Sequence, residues 1–277
     1  MKVSVSSLLY IKHPRREAFA SLQRLSVTYI DLWDHPGFGS HISVTEDDSA
    51  EVRADLAAYG LKPSAVSLYS AEDEKMRRGI DYAAKIDAPL VVAGFSGSNE
   101  EQFAEFLRPL AKTAKSKGVR LGVENHVDTP ADSIDRLNRL SELVPELAYS
   151  YAPPHSVYMG ENQRRNIALL GERLAMFYLW DCPWEATGLT WFRNHWNQFP
   201  EEQFPGRGKL TARYPAWMET LKACRFEGSL NFLVHGNADW SIAKTEGFIK
   251  ASMRFLGLEA AAHAASAGDA TEKISVE

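Results

Sequence analysis

A chain of 277 residues, 45% hydrophobic and 24% charged, has the composition of an ordinary globular protein and is long enough to bury a sizeable core. Its formal net charge is −5 and its basic residues form no block, only isolated pairs such as Arg15-Arg16, Arg77-Arg78 and Arg164-Arg165, which argues against a nucleic-acid partner. No run approaches the roughly 18 apolar residues of a membrane span, the N-terminus lacks a secretory pattern, and the two distant cysteines suit a reducing compartment, so a cytoplasmic protein is expected.

Short apolar or β-branched runs alternate with segments of helical composition along the whole chain. KVSVSSLLY (2–10) predicts a first strand, and REAFASLQRL a helix after it. VTYIDLW (27–33), PSAVSLYS (63–70) and PLVVAGFSG (89–97) follow as strands, separated by SAEVRADLAAYG and AEDEKMRRGIDYAAKID. SNEEQFAEFLRPLAKTAKSKG leads to VRLGVENH (119–126); Gly60 and Gly118 sit where helix C-termini are expected. LAYSYAPP (147–154), LAMFYLWD (174–181) and GSLNFLVHG (228–236) complete eight strands, again with helical segments between and after them.

Eight strands alternating with eight helices over about 250 residues is the count of a single (β/α)₈ TIM barrel, an α/β fold, expected over residues 1–258. No GxGxxG follows the first strand, and PGRGKLT (205–211) lacks the first glycine and the Ser or Thr of a phosphate-binding loop. Two segments break the rhythm. Residues 181–213 form a long aromatic-rich insertion with Trp184, Trp191 and Trp196, and Trp180 at its edge. Residues 259–277 are Ala-rich and then polar, which predicts a flexible tail. The insertion suits a lid over a ligand, or a contact with a second copy or a partner subunit.

In such a barrel the site lies at the C-terminal ends of the strands. Asp34, His35, His41, Glu124, His126, His155, Asp181 and His235 fall there. At GVRLGVENHVDTPAD the chain resembles the fifth strand of the xylose-isomerase-like barrels, a superfamily of sugar isomerases, epimerases and endonucleases. YAPPH, YLWD and the approach FPGRGKLTARYPAWMETLKACRFEGSLNFL stand where the family has its later strand-end motifs. The resemblance implies a barrel acting on a carbohydrate-like small molecule by proton transfer next to a carbonyl, with a divalent metal (Mn, Mg or Zn) held by four side chains.

Of those four, Glu124 matches; Ala152, Tyr178 and Leu233 occupy the other three positions, and none is a good ligand for a hard or borderline cation. No metal cofactor is therefore expected. One rearrangement stays open: period-two alternation places His235 with Leu233 and Asn231, and with Glu124 and His155 it would make a three-ligand set of the catalytic-zinc type.

Glu124, His155 and Asp181 are the candidate catalytic residues, with Glu124 as general base. His126, Tyr178, Trp180, Arg207, His235 and Trp33 are candidates for holding substrate. An enzyme of the isomerase or epimerase kind, or a related lyase, stands against a non-catalytic sugar-binding or auxiliary subunit. A repair endonuclease would need the full metal cluster and positive charge that this sequence lacks.

Overall fold

The computed structural model describes residues 1–259 except 36, 38 and 185–195. Eight parallel strands close into a barrel: β1 (Lys2–Ser6), β2 (Tyr29–His35), β3 (Lys62–Ser67), β4 (Leu90–Val92), β5 (Arg120–Glu124), β6 (Ala148–Tyr151), β7 (Leu174–Leu179) and β8 (Ser229–Phe232). Each pairs with the next in chain order, and β1 closes the ring on β8, with Val5 opposite Phe232. A two-residue strand, Gly39–Ser40, folds back antiparallel on the end of β2. Cys182 and Cys224 are both free, and no helix among the described residues is long and apolar enough to cross a membrane.

Helices pack outside. α1 (Arg15–Arg24), α2 (Ser49–Ala58), α3 (Asp73–Lys85), α4 (Glu100–Ser116) and α5 (Ile134–Leu143) follow the first five strands. Local chemistry sets their ends: the Asn99 and Ser133 side chains accept from the backbone N–H groups of Gln102 and Arg136, capping α4 and α5. Gly60 and Gly118, just past α2 and α4, take the left-handed conformation expected of them, with φ of 64° and 73°. α6 (Pro153–Tyr158), α7 (Gln163–Leu170), α8 (Tyr214–Ala223) and α9 (Ile242–Leu256) complete the described ring.

Seven of the eight strands stop short of the run that predicted them, at the C-terminal end; β2 instead runs two residues past its own, to His35. After β1, Ser6 accepts from the Leu8 backbone N–H and starts a 3₁₀ turn over Ser7–Tyr10. After β6, Pro153 opens α6, because proline cannot extend a ladder but fits a first helical turn. The shortening moves residues from the sheet into the loops at the barrel mouth. The expected tail lies, beyond Glu259, outside the described residues.

Alternation divides each strand between the helical layer and the barrel interior. The interior is polar at mid-height. Asp31 of β2 is fully buried and accepts from the Ser67 hydroxyl (2.6 Å), the Trp33 indole N–H (2.8 Å) and the Asn231 amide (2.9 Å). Strands β2 and β8 flank β1, so the Asp31–Asn231 bond runs past the interior face of β1, where small serines leave room for it.

Candidate active site at the barrel mouth

Glu124 is the last residue of β5 and only 3% exposed. One carboxylate oxygen accepts the Tyr69 hydroxyl, and the Tyr69 and Tyr178 hydroxyls lie 2.7 Å apart. Because Tyr69 gives its proton to Glu124, Tyr178 is the donor to Tyr69. The other carboxylate oxygen lies 3.4 Å from Nε2 of His155. Burial pushes Glu124 up to about 6, while His126 and the Tyr69 hydrogen bond pull it down. Both phenols are driven well above their ordinary range, first by burial and then by the Glu124 charge.

Three histidines surround this carboxylate. The His126 and His155 rings pack at 4.2 Å, and burial lowers them to about 4 and about 3. The 3.4 Å approach of His155 to Glu124 is therefore that of a neutral imidazole, not an ion pair. His126 Nδ1 lies 2.8 Å from the Val127 carbonyl, which makes that nitrogen the protonated one. His235 is lowered to about 3, again mainly by burial. Asn125 fixes the relative position of Glu124 and His155. Its side chain accepts from the Ala152 N–H (2.6 Å) and donates to the Ala152 carbonyl (3.0 Å), joining the end of β5 to the start of α6.

Above Glu124 opens a cavity of about 480 Å³ walled largely by aromatic rings: Trp33, Tyr69, Phe95, Trp180 and Trp196. Trp33 stacks on Tyr69 with centroids 4.8 Å apart. Trp180 meets the rings of His155 (5.3 Å) and His235 (5.0 Å) edge-on. Gln203 holds this wall from behind. Its side-chain oxygen accepts from the Trp180 indole (3.1 Å) and the His235 backbone N–H (2.9 Å), and its amide donates to the carbonyls of Trp196 and Gln198.

The cavity gathers Glu124, His126, His155, Trp180, His235 and Trp33 from the sequence candidates, with Tyr178 beneath Tyr69. Two candidates lie elsewhere. Asp181 is fully buried outside the cavity, accepting from the backbone N–H groups of Cys182, Gly208 and Leu210 and from the Thr211 hydroxyl. It folds the PGRGKLT loop around itself; a Cβ on Gly208 would fall 2.3 Å from its carboxylate, so glycine is needed there. The reason is alternation: Tyr178 and Trp180 point inward, which sends Asp181 the other way. Arg207 is exposed, its guanidinium 4.4 Å above the Phe248 ring. His41 bonds the His13 carbonyl (3.1 Å), and Asp34 takes the Ser40 hydroxyl and the Val44 N–H, so neither belongs to the cavity. Of the aromatic insertion, Trp196 lines the cavity and Trp184 is buried; Trp191 lies outside the described residues.

Tyr69, Asp31 and Asn125 were not singled out from the sequence. Tyr69 is the second-last residue of PSAVSLYS and shares its face with Ser67; Asp31 is a lone carboxylate inside an apolar run. Both were legible signals.

The donor set does not fit a divalent cation. Among the described residues no group of three or more His, Cys, Asp and Glu side chains is placed to hold one. Glu124 is engaged by a phenol and flanked by an imidazole, Leu233 presents an apolar side chain to the cavity, and Tyr178 is a phenol too strongly held to ionise. The rearranged Glu124, His155 and His235 set is not assembled.

Structural comparison finds the same architecture in a D-allulose 3-epimerase from Methylomonas sp., with 13% identity, 94% of this chain and 98% of that one covered, and a TM-score of 0.71. An L-ribulose 3-epimerase shares 14% identity over 100% of this chain and 99% of its own, with a TM-score of 0.72. A xylose isomerase domain protein from Alicyclobacillus acidocaldarius shares 16% over 94% and 99%, also at 0.72. At these identities the likeness is one of fold. No curated protein sequence matches the chain. The sequence model that does match spans residues 19–257, nearly the whole barrel with its strand-end motifs, and on that match the chain belongs to the xylose isomerase-like TIM barrel family.

Proposed function

We propose that this chain is an isomerase- or epimerase-like enzyme, acting on a carbohydrate-like carbonyl compound by proton transfer at the carbon next to the carbonyl. Membership in a superfamily of sugar isomerases and epimerases gives the class, and two fold neighbours are named as 3-epimerases, of D-allulose and of L-ribulose. The observation that carries the step is Glu124: a buried carboxylate, raised to about 6, at the floor of a cavity and oriented by Tyr69.

A base raised toward neutrality is ionised at pH 7 yet accepts a proton at little cost. Glu124 takes the substrate proton; the Tyr178–Tyr69 pair holds its second oxygen and so fixes the direction of its lone pairs. Neutral His155 and His235 each carry one ring N–H, a donor for the oxyanion that forms as the proton leaves. No step is assigned to a metal, because the family's ligand positions hold Ala152, Tyr178 and Leu233.

The test is solvent exchange. Purified protein is incubated with unphosphorylated keto-sugars in D₂O, and deuterium incorporation next to the carbonyl is followed by NMR. Incorporation by the wild type, lowered roughly 10²–10⁴-fold by Glu124→Gln, is expected. Sugars bound without any incorporation would identify a binding or auxiliary protein that keeps the barrel, and would sink the catalytic reading.

A further inference from the structure

The charge and polarity of the cavity narrow what it takes. Among the described residues no lysine or arginine lines it; its acidic and imidazole side chains are Glu124, Asp128 and the three histidines, with the phenol of Tyr69. Among these described residues a phosphate or carboxylate on the ligand would meet the buried carboxylate of Glu124, Asp128 at the exposed rim, and no lysine or arginine, and the like charge of Glu124 would repel it. Part of the hydrogen-bonding capacity is already used within the protein. Glu124 takes the Tyr69 hydroxyl, and His126 donates to the Val127 carbonyl. The Thr129 hydroxyl donates to the His126 carbonyl (2.6 Å) and accepts the Ala131 N–H (3.1 Å). A hexose carries five hydroxyls, and each one buried without a partner weakens binding. Against this stand five aromatic rings together with Val127 and Leu233.

We infer that the cavity selects an uncharged ligand with a flat apolar face about the size of an aromatic ring, such as an aryl-substituted sugar, and excludes phosphorylated sugars. This rests on the proposed proton transfer, since a substrate must still present the carbon next to a carbonyl to Glu124; the glycosides below probe binding alone. The apolar face would lie against one of the lining rings, Trp33, Phe95 or Trp196, where stacking gives most when the partner is flat and sheds its water.

Four probes separate charge from polarity: phenyl β-D-glucopyranoside, glucose, glucose 6-phosphate and phenyl phosphate, each titrated calorimetrically into the full chain. The phenyl glucoside should bind at least about tenfold more tightly than glucose, and each phosphate should bind more weakly than its uncharged counterpart. Phe95→Leu, which keeps bulk and loses the flat ring, should reduce the phenyl advantage, and Asp128→Asn at the exposed rim should improve glucose 6-phosphate several-fold. No detectable binding of the phenyl glucoside, equal binding of it and glucose, or a phosphate binding as tightly as its neutral partner would each overturn the inference. Deuterium exchange into keto-sugars without a phenyl preference would leave the proton transfer standing and remove only this selectivity. A phenyl preference without exchange would do the reverse.

Discussion

Glu124 and Asp181 are both carboxylates at the C-terminal ends of barrel strands, both at most 3% exposed, and both pushed up to about 6 by burial. Their surroundings differ in where the lone pairs go. Asp181 gives both oxygens to four protein donors, three of them backbone N–H groups, and closes a loop. Glu124 is held from one side by a single phenol and faces a cavity on the other. A raised carboxylate is therefore a sign of burial in either case; only the direction of its unused acceptor sites distinguishes a base from a loop anchor.

Paired substitutions test that distinction, and they carry the largest effects. Glu124→Gln should lower turnover roughly 10²–10⁴-fold while changing unfolding free energy by less than about 1 kcal/mol at pH 4.5, where the carboxyl is protonated. Asp181→Ala should cost about 3–5 kcal/mol in denaturant unfolding, because buried backbone donors lose their acceptor. The folded fraction of that variant should keep its affinity for cavity ligands. Equal stability loss in both variants would erase the contrast.

The next effect is shared. Each carboxylate binds its proton more tightly in the folded state, so the stability it contributes is present in acid and is lost as pH rises from about 4 to about 6. Measured at pH 4.5 and 7.5, Glu124→Gln should gain about 2 kcal/mol relative to the wild type at the higher pH. A relative gain at pH 4.5 instead would mean that Glu124 is depressed, not raised.

Tyr69→Phe sharpens the comparison on one side only. Loss of the phenol removes a hydrogen bond to the charged form of Glu124 and should move the acid limb of turnover upward by about one pH unit, with no comparable change in any property tied to Asp181. An unmoved limb would separate Tyr69 from the base. The smallest expected effect is none: chelation should leave melting temperature and turnover unchanged, since no metal-linked stabilisation is present to lose. A drop of either on chelation, reversed by one added divalent ion, would restore a metal role.

The barrel was legible because eight apolar runs of similar length alternate with helical segments along the chain, the long 181–213 connection aside. The strand ends were less so: Ser7–Tyr10 and Pro153-Pro154 read as strand by composition, and capping and proline geometry placed them in helical turns. In the site, histidines and glutamates attracted attention while the phenol Tyr69 did not, although it occupies the same kind of strand end as Glu124. Applied strictly, the period of two would have paired Glu124 with His126, Asp31 with Trp33 and Tyr178 with Trp180, and would have set Asp181 aside. Arg207 was unreadable for another reason: its placement depends on how the 205–211 loop wraps Asp181, a tertiary arrangement that no local pattern encodes.

Gln203 links parts of the mouth that the chain keeps far apart. One buried amide joins the Trp180 indole, the His235 backbone and the carbonyls of Trp196 and Gln198. A ligand that turns the Trp180 ring must break this joint or drag the end of the aromatic insertion with it. Gln203 lines no part of the cavity, so its replacement by alanine is expected to raise the rate of ligand escape without removing a ligand contact.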